Sequence, residues 1–512
     1  MRALGFVVVL ASAIVWSSCN CGGAAGAPCT QGSDCLSGTC GADAGCTAPP
    51  GSGDGGSTGT LPDGGACENL QCQVQACAGG GTTSISGKVY DPAGNVPLYN
   101  AVVLVPNKPV AAFPSGPTCA ACGALISGAP VAIAITGPDG SFTLTGVPSG
   151  SNIPLVIQVG KWRRQVTLPS VTSCQDNPLT DASITRLPRD RSEGDLPQMA
   201  LSSGNADAFE CLLRKIGISD SEVTAPSGGG RVHFYKQNGM DLSAGGAPPG
   251  KDLWTDAGTL MNYDVVMLPC EGGAHNKPAA AVQNLVSYAN AGGRVFATHY
   301  SYVWTRPGWP QAAQWQPGLA DLYDSTFTVT VDQSFPKGQA FAQWLTNVGA
   351  STSPGSLDLI ESRHDVVSVN VGATRWLYGD IPASNPTGSI QHLTFNTPYL
   401  DAGVAIEGGD LQCGRVVFSD FHVTAGATDG GAGYPDSCVG SPLTAQEKAL
   451  EFMFFDLSAC VQDDHTAPTA CAAAGQACDA KTGCCTGLEC DDPAGNACTA
   501  TATGCTCQAS FN

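Results

Sequence analysis

Basic side chains are scarce in this sequence. Lysine and arginine together number 23, against 43 aspartates and glutamates, and the formal net charge is −20. Nucleic acids and anionic lipid surfaces attract positively charged proteins and repel acidic ones. The charge balance therefore excludes nucleic acid as an expected partner.

Long apolar runs are also missing, apart from a short one at the amino end. Residues 4–16 are mostly apolar, but they fall below the roughly 20 residues that span a bilayer core. Arg2 precedes this run and two serines follow it before Cys19, so residues 1–18 are predicted to be an export signal.

This signal resembles the bacterial lipobox, in which small residues precede a cysteine that is acylated and becomes the mature N-terminus. Trp16 stands where that motif usually has an aliphatic residue. The resemblance implies lipidation of Cys19 and anchoring to the outer membrane, facing the periplasm or the cell surface. The alternative is an ordinary cleaved signal, with Cys19 as one more half-cystine.

Several catalytic signatures are absent from the sequence. There is no G-x-x-x-x-G-K-[ST] loop, no dinucleotide fingerprint, no G-x-S-x-G elbow and no HExxH helix. Nucleotide-dependent and α/β-hydrolase chemistry are therefore unsupported.

Cysteine is abundant, and this predicts an oxidising compartment. Setting Cys19 aside leaves 24 of the 25 cysteines, an even number that would allow complete pairing outside the cytoplasm. A Cys-rich segment is expected at 19–50 and a flexible Gly/Ser linker at 51–82. Residues 471–507 form a second Cys-rich module whose spacing resembles the inhibitor cystine knot, with a pairing that spacing alone leaves open.

The full length of 512 residues predicts two or three domains with their own cores. Between residues 83 and 172, alternating Val, Ile, Thr and Phe are broken by Pro-Ala-Gly-Asn and Pro-Asp-Gly turns, which indicates a small β-sandwich. The stretch resembles the carboxypeptidase regulatory-like domain in Gly87-x-Val89-x-Asp91 and in Asp139-Gly140-x-Phe142. That resemblance implies a non-catalytic spacer or adhesion module.

Residues 195–462 show a different pattern. Buried strands such as YDVVMLP and GRVFATHY alternate with amphipathic stretches, which predicts an α/β domain with a mainly parallel, flavodoxin-like sheet. Residues 292–299 and 414–422 resemble the ThuA-like branch of the class I glutamine amidotransferase-like superfold. In the nucleophile turn of an amidotransferase a cysteine is usual, whereas His299 occupies that position here, which argues against amidotransferase chemistry.

Ligands of open α/β sheets bind beyond the carboxyl ends of the strands. Four candidate site residues follow such strands: Glu271, His299, Asp420 and His422. The two histidines are candidate acid/base groups or zinc ligands, with Glu271 or Asp420 assisting. Each histidine taken alone is better explained as a hydrogen-bonded structural residue than as a ligand.

Cys270 ends one of these strands and invites a nucleophile assignment. In an oxidising compartment we expect instead a disulfide to Cys211 or Cys413, and a second disulfide between Cys438 and Cys460. Beyond His299, the tryptophans of an aromatic loop are candidates for carbohydrate binding or for packing onto their own domain: Trp304, Trp309 and Trp315.

Three functions remain open from the sequence. The first is a non-enzymatic envelope lipoprotein that binds a glycan, a wall component or a protein, and it predicts exposed tryptophans around a groove. The second is a secreted hydrolase of carbohydrate or amide bonds, which predicts histidines and an acid in one solvent-filled pocket. The third is a structural envelope protein, which predicts buried histidines with backbone partners.

Overall fold

The computed structural model describes residues 59–60, 66–119, 125–317, 326–379, 389–400, 412–424, 427–429, 431, 433–473, 475–478, 484–485, 488–492, 497–498 and 504–509. The signal at 1–18, Cys19 and the Cys-rich segment at 19–50 lie outside these residues. In the described part of the chain, no helix is long and apolar enough to cross a membrane.

The amino-terminal described segment is tied to the following domain. Strand β1 (Gly59–Thr60) pairs antiparallel with β2 (Ala66–Cys67), and short 3-10 turns follow at Asn69–Gln73 and Ala78–Gly80. Disulfides join Cys67 to Cys72 and Cys77 to Cys174. The carboxyl half of the expected 51–82 linker is therefore cross-linked to the sandwich.

Seven strands form two sheets between residues 84 and 179. Their bounds are β3 (Ser84–Lys88), β4 (Val102–Pro106), β5 (Pro130–Ile135), β6 (Ser141–Thr145), β7 (Gly150–Val159), β8 (Trp162–Val171) and β9 (Asp176–Leu179). The orders are β6-β3-β9 and β5-β4-β7-β8, and inward residues of both sheets belong to one hydrophobic core.

Twelve strands follow, ten of them in one sheet. Their bounds are β10 (Met199–Ser202), β11 (Val223–Thr224), β12 (Val232–Tyr235), β13 (Val265–Leu268), β14 (Arg294–Thr298), β15 (Ala313–Trp315), β16 (Phe327–Val331), β17 (Ser356–Leu359), β18 (Val366–Val369), β19 (Ala373–Gly379), β20 (Ser389–Thr397) and β21 (Gly414–Ser419). The ten-stranded order is β11-β12-β10-β13-β14-β21-β20-β19-β16-β17, while β15 pairs with β18.

This large sheet is mixed. The five pairings from β11 to β21 are parallel, and the four from β21 to β17 are antiparallel. In the parallel half, segments that contain helices connect β10 to β11, β12 to β13 and β13 to β14, whereas β19 and β20 of the antiparallel half are neighbours in both sequence and space. The sequence pattern did not reveal this antiparallel half.

Eight α-helices accompany the sheets in the described residues. Their bounds are α1 (Ala182–Thr185), α2 (Phe209–Lys215), α3 (Lys251–Trp254), α4 (Ala257–Leu260), α5 (Ala279–Asn290), α6 (Tyr302–Gly308), α7 (Pro336–Asn347) and α8 (Ala445–Ser458). Helix α8 begins with a capping box between Thr444 and Glu447, and nearly all of its residues are buried.

Helix α8 joins the sandwich to the α/β domain. Trp162 of β8 contacts Phe454 and Phe455, with ring centroids 6.3 and 5.9 Å apart. At Gly160, in the β7–β8 turn, φ is +55° and a Cβ atom would lie 1.8 Å from the carbonyl oxygen of Ser458. The two domains predicted at 83–172 and 195–462 therefore share one continuous core.

The carboxyl-terminal module is held by four disulfides around strands β22 (Leu488–Asp491) and β23 (Thr506–Ala509). The pairs are Cys471–Cys485, Cys478–Cys490, Cys484–Cys507 and Cys498–Cys505. Its half-cystines pack against Leu104, Ile126 and Val156 of the sandwich. The chain is thus a multidomain, disulfide-rich protein with several β-sheets.

Candidate functional site

Three neighbouring parallel strands end at one edge of the large sheet and bring a thiol and two imidazoles together. Cys270 follows β13, His299 follows β14 and His422 follows β21. One donor atom from each lies within 4.8 Å of the donor atoms of the other two. We call Cys270, His299 and His422 the Cys-His cluster.

Cys270 is a reduced thiol, so the predicted disulfides at this position are wrong. Cys211 pairs with Cys438, and Cys413 pairs with Cys119 of the sandwich. The Sγ atom of Cys270 instead lies 3.2 Å from Nδ1 of His299. Complete pairing of the 24 cysteines that follow Cys19 is therefore also wrong.

The second predicted disulfide is also absent from the described residues. The predicted Cys438–Cys460 disulfide is wrong, because Cys438 is bonded to Cys211. Cys460 is itself disulfide-bonded.

His299 adopts an unusual backbone conformation. Its φ is +37°, in the left-handed region that non-glycine residues rarely occupy. The turn begins directly after β14 and directs the imidazole between two polar groups. Nδ1 faces the sulfur of Cys270, and Nε2 lies 3.5 Å from Oδ2 of Asp365. Strained residues of this kind are concentrated at functional sites.

His422 is fixed through one ring nitrogen. Its Nδ1 lies 3.1 Å from the carbonyl oxygen of Val423, an arrangement in which Nδ1–H donates. Its Nε2 is buried and has no hydrogen-bond partner among the described residues. A buried polar atom without a partner is costly, so this nitrogen requires an explanation.

Asp207 links the three strand ends and was missed by the sequence analysis. Its Oδ2 accepts a hydrogen bond from Oγ1 of Thr298 at 2.6 Å, and its Oδ1 accepts one from the Val423 amide at 3.0 Å. Oγ1 of Thr298 in turn accepts from the Cys270 amide at 2.9 Å. The sequence could have indicated Asp207 only by its position, because it follows β10, another parallel strand that ends at the same edge of the sheet.

The two candidate acids have structural partners of their own. Glu271 accepts hydrogen bonds from Lys277 at 2.6 Å, Asn238 at 2.7 Å and Gln237 at 3.2 Å. Asp420 accepts a hydrogen bond from the backbone amide of Asp365 at 2.7 Å, and this bond holds the segment that faces His299. The acid that faces the His299 imidazole is Asp365, which the sequence analysis did not select.

The tryptophans of the aromatic loop pack onto their own domain. Trp304 contacts Trp254 with centroids 5.1 Å apart, and Trp309 contacts Phe395 at 5.4 Å. Both are at most 2% exposed, and Trp315 packs edge-on against Phe418. Trp304 and Trp309 therefore do not line an exposed groove, while Trp315 is half-buried.

Burial controls the protonation of the Cys-His cluster. Desolvation raises the pKa of the Cys270 thiol to about 12. Desolvation, with smaller effects of His422 and Arg363, lowers the pKa of His299 to about 2. At neutral pH the pair is therefore an uncharged thiol beside an uncharged imidazole.

Searches against known proteins give no assignment. No protein-family model and no curated protein sequence matches this chain.

Solved structures give partial matches only. A cytoplasmic protein of Salmonella typhimurium, STM3548, matches 51% of this chain and 98% of its own, with 13% identity and a TM-score of 0.26. A chain from a type II cohesin–X-dockerin complex of Acetivibrio cellulolyticus, a C-terminal interface mutant, matches 25% of this chain and 78% of its own. Its identity is 15% and its TM-score is 0.15. Likenesses at these TM-scores carry no argument about fold or function.

Proposed function

We propose that this chain is an exported cell-envelope lipoprotein, anchored through acylated Cys19, with a non-enzymatic binding or structural role. The observation that carries the non-enzymatic part is the burial of the Cys-His cluster. Cys270 is fully buried, and His299 and His422 are each 2% exposed. A dissolved substrate cannot reach these atoms in this conformation.

Cross-linking between the domains supports a role in presentation. The Cys119–Cys413 disulfide connects residues 294 positions apart, from the sandwich to the α/β domain. Together with the shared core around α8, it joins the two domains into one unit. A tethered body of this kind suits a scaffold more than an enzyme that closes around its substrate.

The domain assignments belong to the same proposal. When the two-residue edge strand β11 is left aside, the other five parallel strands of the large sheet, numbered in chain order, stand in the spatial order 2-1-3-4-5, the order of flavodoxin-like sheets. This supports a flavodoxin-like core for the ThuA-like resemblance. In the carboxyl-terminal module the first, second and third cysteines pair with the fourth, fifth and eighth, which supports a knot-like arrangement.

A cleft between the sandwich and the α/β domain is the surface that we propose for ligand binding. It measures about 970 Å³ and includes the turn at Asp91–Pro97 of the sandwich. Four of the 23 basic residues line it: Arg189, Arg214, Lys215 and Lys448. Arg214 is paired with Asp220 and Lys215 with Glu447, so the positive charge offered to a ligand comes from Arg189 and Lys448. With Asp91 and Asp220 as the carboxylates among the described lining residues, the cleft favours an acidic ligand, such as an anionic glycan, over a neutral one.

The cleft is tested by binding of uronic acid oligosaccharides to the purified chain. Binding is expected to fall when exposed Arg189 is replaced by serine, and to weaken with added salt. Arg306→Ser removes an exposed arginine outside the cleft and is the matched control. Equal affinity of both variants and the wild type would show that the cleft is not the binding site.

The anchor is tested by replacing Cys19 with serine and following incorporation of a labelled fatty acid in a bacterial host. The wild type is expected in the membrane fraction with label, and Cys19→Ser is expected unlabelled and soluble. Cys21→Ser, two residues away, should behave as the wild type. Labelling of Cys19→Ser would contradict the proposed anchor.

A hydrolase remains the second candidate because of one observation. Cys270, His299 and Asp365 stand in the order thiol, base and orienting acid that nucleophilic catalysis uses. A screen of carbohydrate and amide substrates that finds turnover in the wild type, but none in His299→Gln, would favour this candidate over the non-enzymatic role.

A further inference from the structure

We propose that the Cys-His cluster binds one copper ion through Sγ of Cys270, Nδ1 of His299 and Nε2 of His422. The proposal concerns a buried site and does not depend on the anchor or on the cleft proposed for anionic ligands. It rests on the positions of the three donors, on the groups that orient them and on the number of donors.

The donor positions suit a single ion. Ligands bonded to one ion at about 2.0–2.3 Å lie roughly 3–4 Å from one another. Sγ of Cys270 and Nδ1 of His299 are 3.2 Å apart, and His422 supplies the third atom within 4.8 Å of both. Small side-chain rotations would therefore complete the coordination without movement of the strands.

The second ring nitrogen of each histidine faces an acceptor oxygen, which favours the tautomer with N–H at that position. Histidines that bind metals usually donate their other N–H to a carboxylate or a backbone carbonyl. His299 directs Nε2 toward Asp365, and His422 directs Nδ1 toward the carbonyl of Val423. Both free lone pairs, on Nδ1 of His299 and Nε2 of His422, are thereby left for the ion.

The buried Nε2 of His422 is the independent observation that points to a ligand. It has no partner in the described part of the chain, and it lies in a residue that is 2% exposed. A metal ion would satisfy it. Without one, the fold leaves a desolvated lone pair beside a thiol at the carboxyl ends of three parallel strands.

A bound metal ion deprotonates a coordinating thiol, so Cys270 would bind the ion as a thiolate. When the ion binds, the thiol proton leaves to solvent and a metal–sulfur bond replaces it.

The donor set selects copper. One thiolate and two imidazoles exclude magnesium and calcium, which prefer oxygen. Structural zinc sites have four protein ligands, and catalytic zinc sites with three keep an open position for water, whereas this group is buried and contains three histidine, cysteine or carboxylate donors in the described residues. A trigonal His₂Cys set is typical of copper.

The test is metal analysis of the full chain secreted from cells grown with added copper and zinc, and purified without chelator or affinity-tag metal. We expect near-stoichiometric copper with a sulfur-to-copper charge-transfer band in the oxidised form. Cys270→Ala and His422→Gln should lose the copper, and His275→Gln, an exposed histidine five residues from Cys270, should retain it.

Wild-type protein alone gives a second readout, in case the variants misfold. X-ray absorption at the copper edge should show one sulfur and two imidazole nitrogens. Asp365→Asn should weaken copper binding by about 10–100-fold while leaving the ligands intact. Zinc in place of copper, no metal, or a copper shell without sulfur would each overturn the proposal.

Discussion

At the scale of single residues, Cys270 offers the sharpest contrast between a structural and a reactive thiol. Burial raises its pKa to about 12, so about one molecule in 10⁵ carries the thiolate at pH 7. We expect iodoacetamide to label Cys270 only after unfolding, as mass spectrometry of tryptic peptides would show. Rapid labelling of the native protein would instead indicate an accessible nucleophile.

Glu210 of α2 predicts a pH dependence. Burial, with a smaller effect of Asp207, raises its pKa to about 8. The nearby Tyr434 hydroxyl does not oppose this increase, because it carries no positive charge. The folded protein therefore keeps a proton on Glu210 that the unfolded chain releases above the ordinary pKa of glutamate. The contribution of this proton to the free energy of unfolding is complete below that ordinary pKa. It is lost as the pH rises toward 8, by about 1.4 kcal/mol per pH unit.

Replacing Glu210 by glutamine should remove this dependence, since the amide keeps the shape of the protonated acid. We expect the unfolding free energy of Glu210→Gln to exceed that of the wild type at pH 8 and to approach it near pH 5, in urea titrations at both values. Glu489→Gln, an exposed carboxylate, is the control. Parallel pH profiles for wild type and Glu210→Gln would refute the assignment.

At the scale of elements, four buried charges connect two helices, a strand and the segment after α8. Lys337 of α7 lies 2.9 Å from Asp456 of α8 and 3.1 Å from Asp464. Arg415 of β21 lies 2.9 and 2.7 Å from the same two acids. Each charge is compensated by two partners, which lets a buried network persist.

Asp464→Asn should lower the unfolding free energy by about 3–5 kcal/mol, because it leaves the buried cations with one acid between them. Arg415 and Lys337 lower the pKa of Asp464. The stabilisation is therefore present above the unfolded pKa and is lost only as the pH falls through the lower folded value. Chemical denaturation at pH 7 and in acid measures both.

The exposed neighbour Asp463 supplies the matched control, since its side chain is 66% exposed. Asp463→Asn should change stability by less than about 0.5 kcal/mol. Equal effects of the two substitutions would show that the network adds nothing to stability.

At the scale of the whole molecule, the interdomain disulfide and the shared core predict joint unfolding. Removing the Cys119–Cys413 link by two serine substitutions should cost about 2–5 kcal/mol. A single calorimetric transition should remain, because Trp162, Phe454 and Phe455 still hold the domains together. Cys498→Ser with Cys505→Ser, whose link spans seven residues, should cost less.

Two separate transitions in the Cys119–Cys413 variant would contradict this expectation. They would mean that the disulfide, and not the core around α8, holds the sandwich against the α/β domain.

Local patterns in the sequence were sufficient for several features. Alternating β-branched residues and Pro-Asp-Gly turns predicted strands between 83 and 172, and the cysteine content predicted disulfides. The strand-end rule selected His299 and His422, which do meet. These features depend on neighbours in sequence or on the shared edge of parallel strands, so periodicity and position reveal them.

Partner choice between distant residues was not accessible in the same way. Cys211 and Cys438 are 227 residues apart, and Cys119 and Cys413 are 294 apart, so spacing could not predict these disulfides. Asp365 reaches His299 because the segment that carries it is held by Asp420, and the burial of Trp304 depends on Trp254. Such contacts form only when distant parts of the chain pack together. They leave Cys270 as a buried, reduced thiol beside two imidazoles.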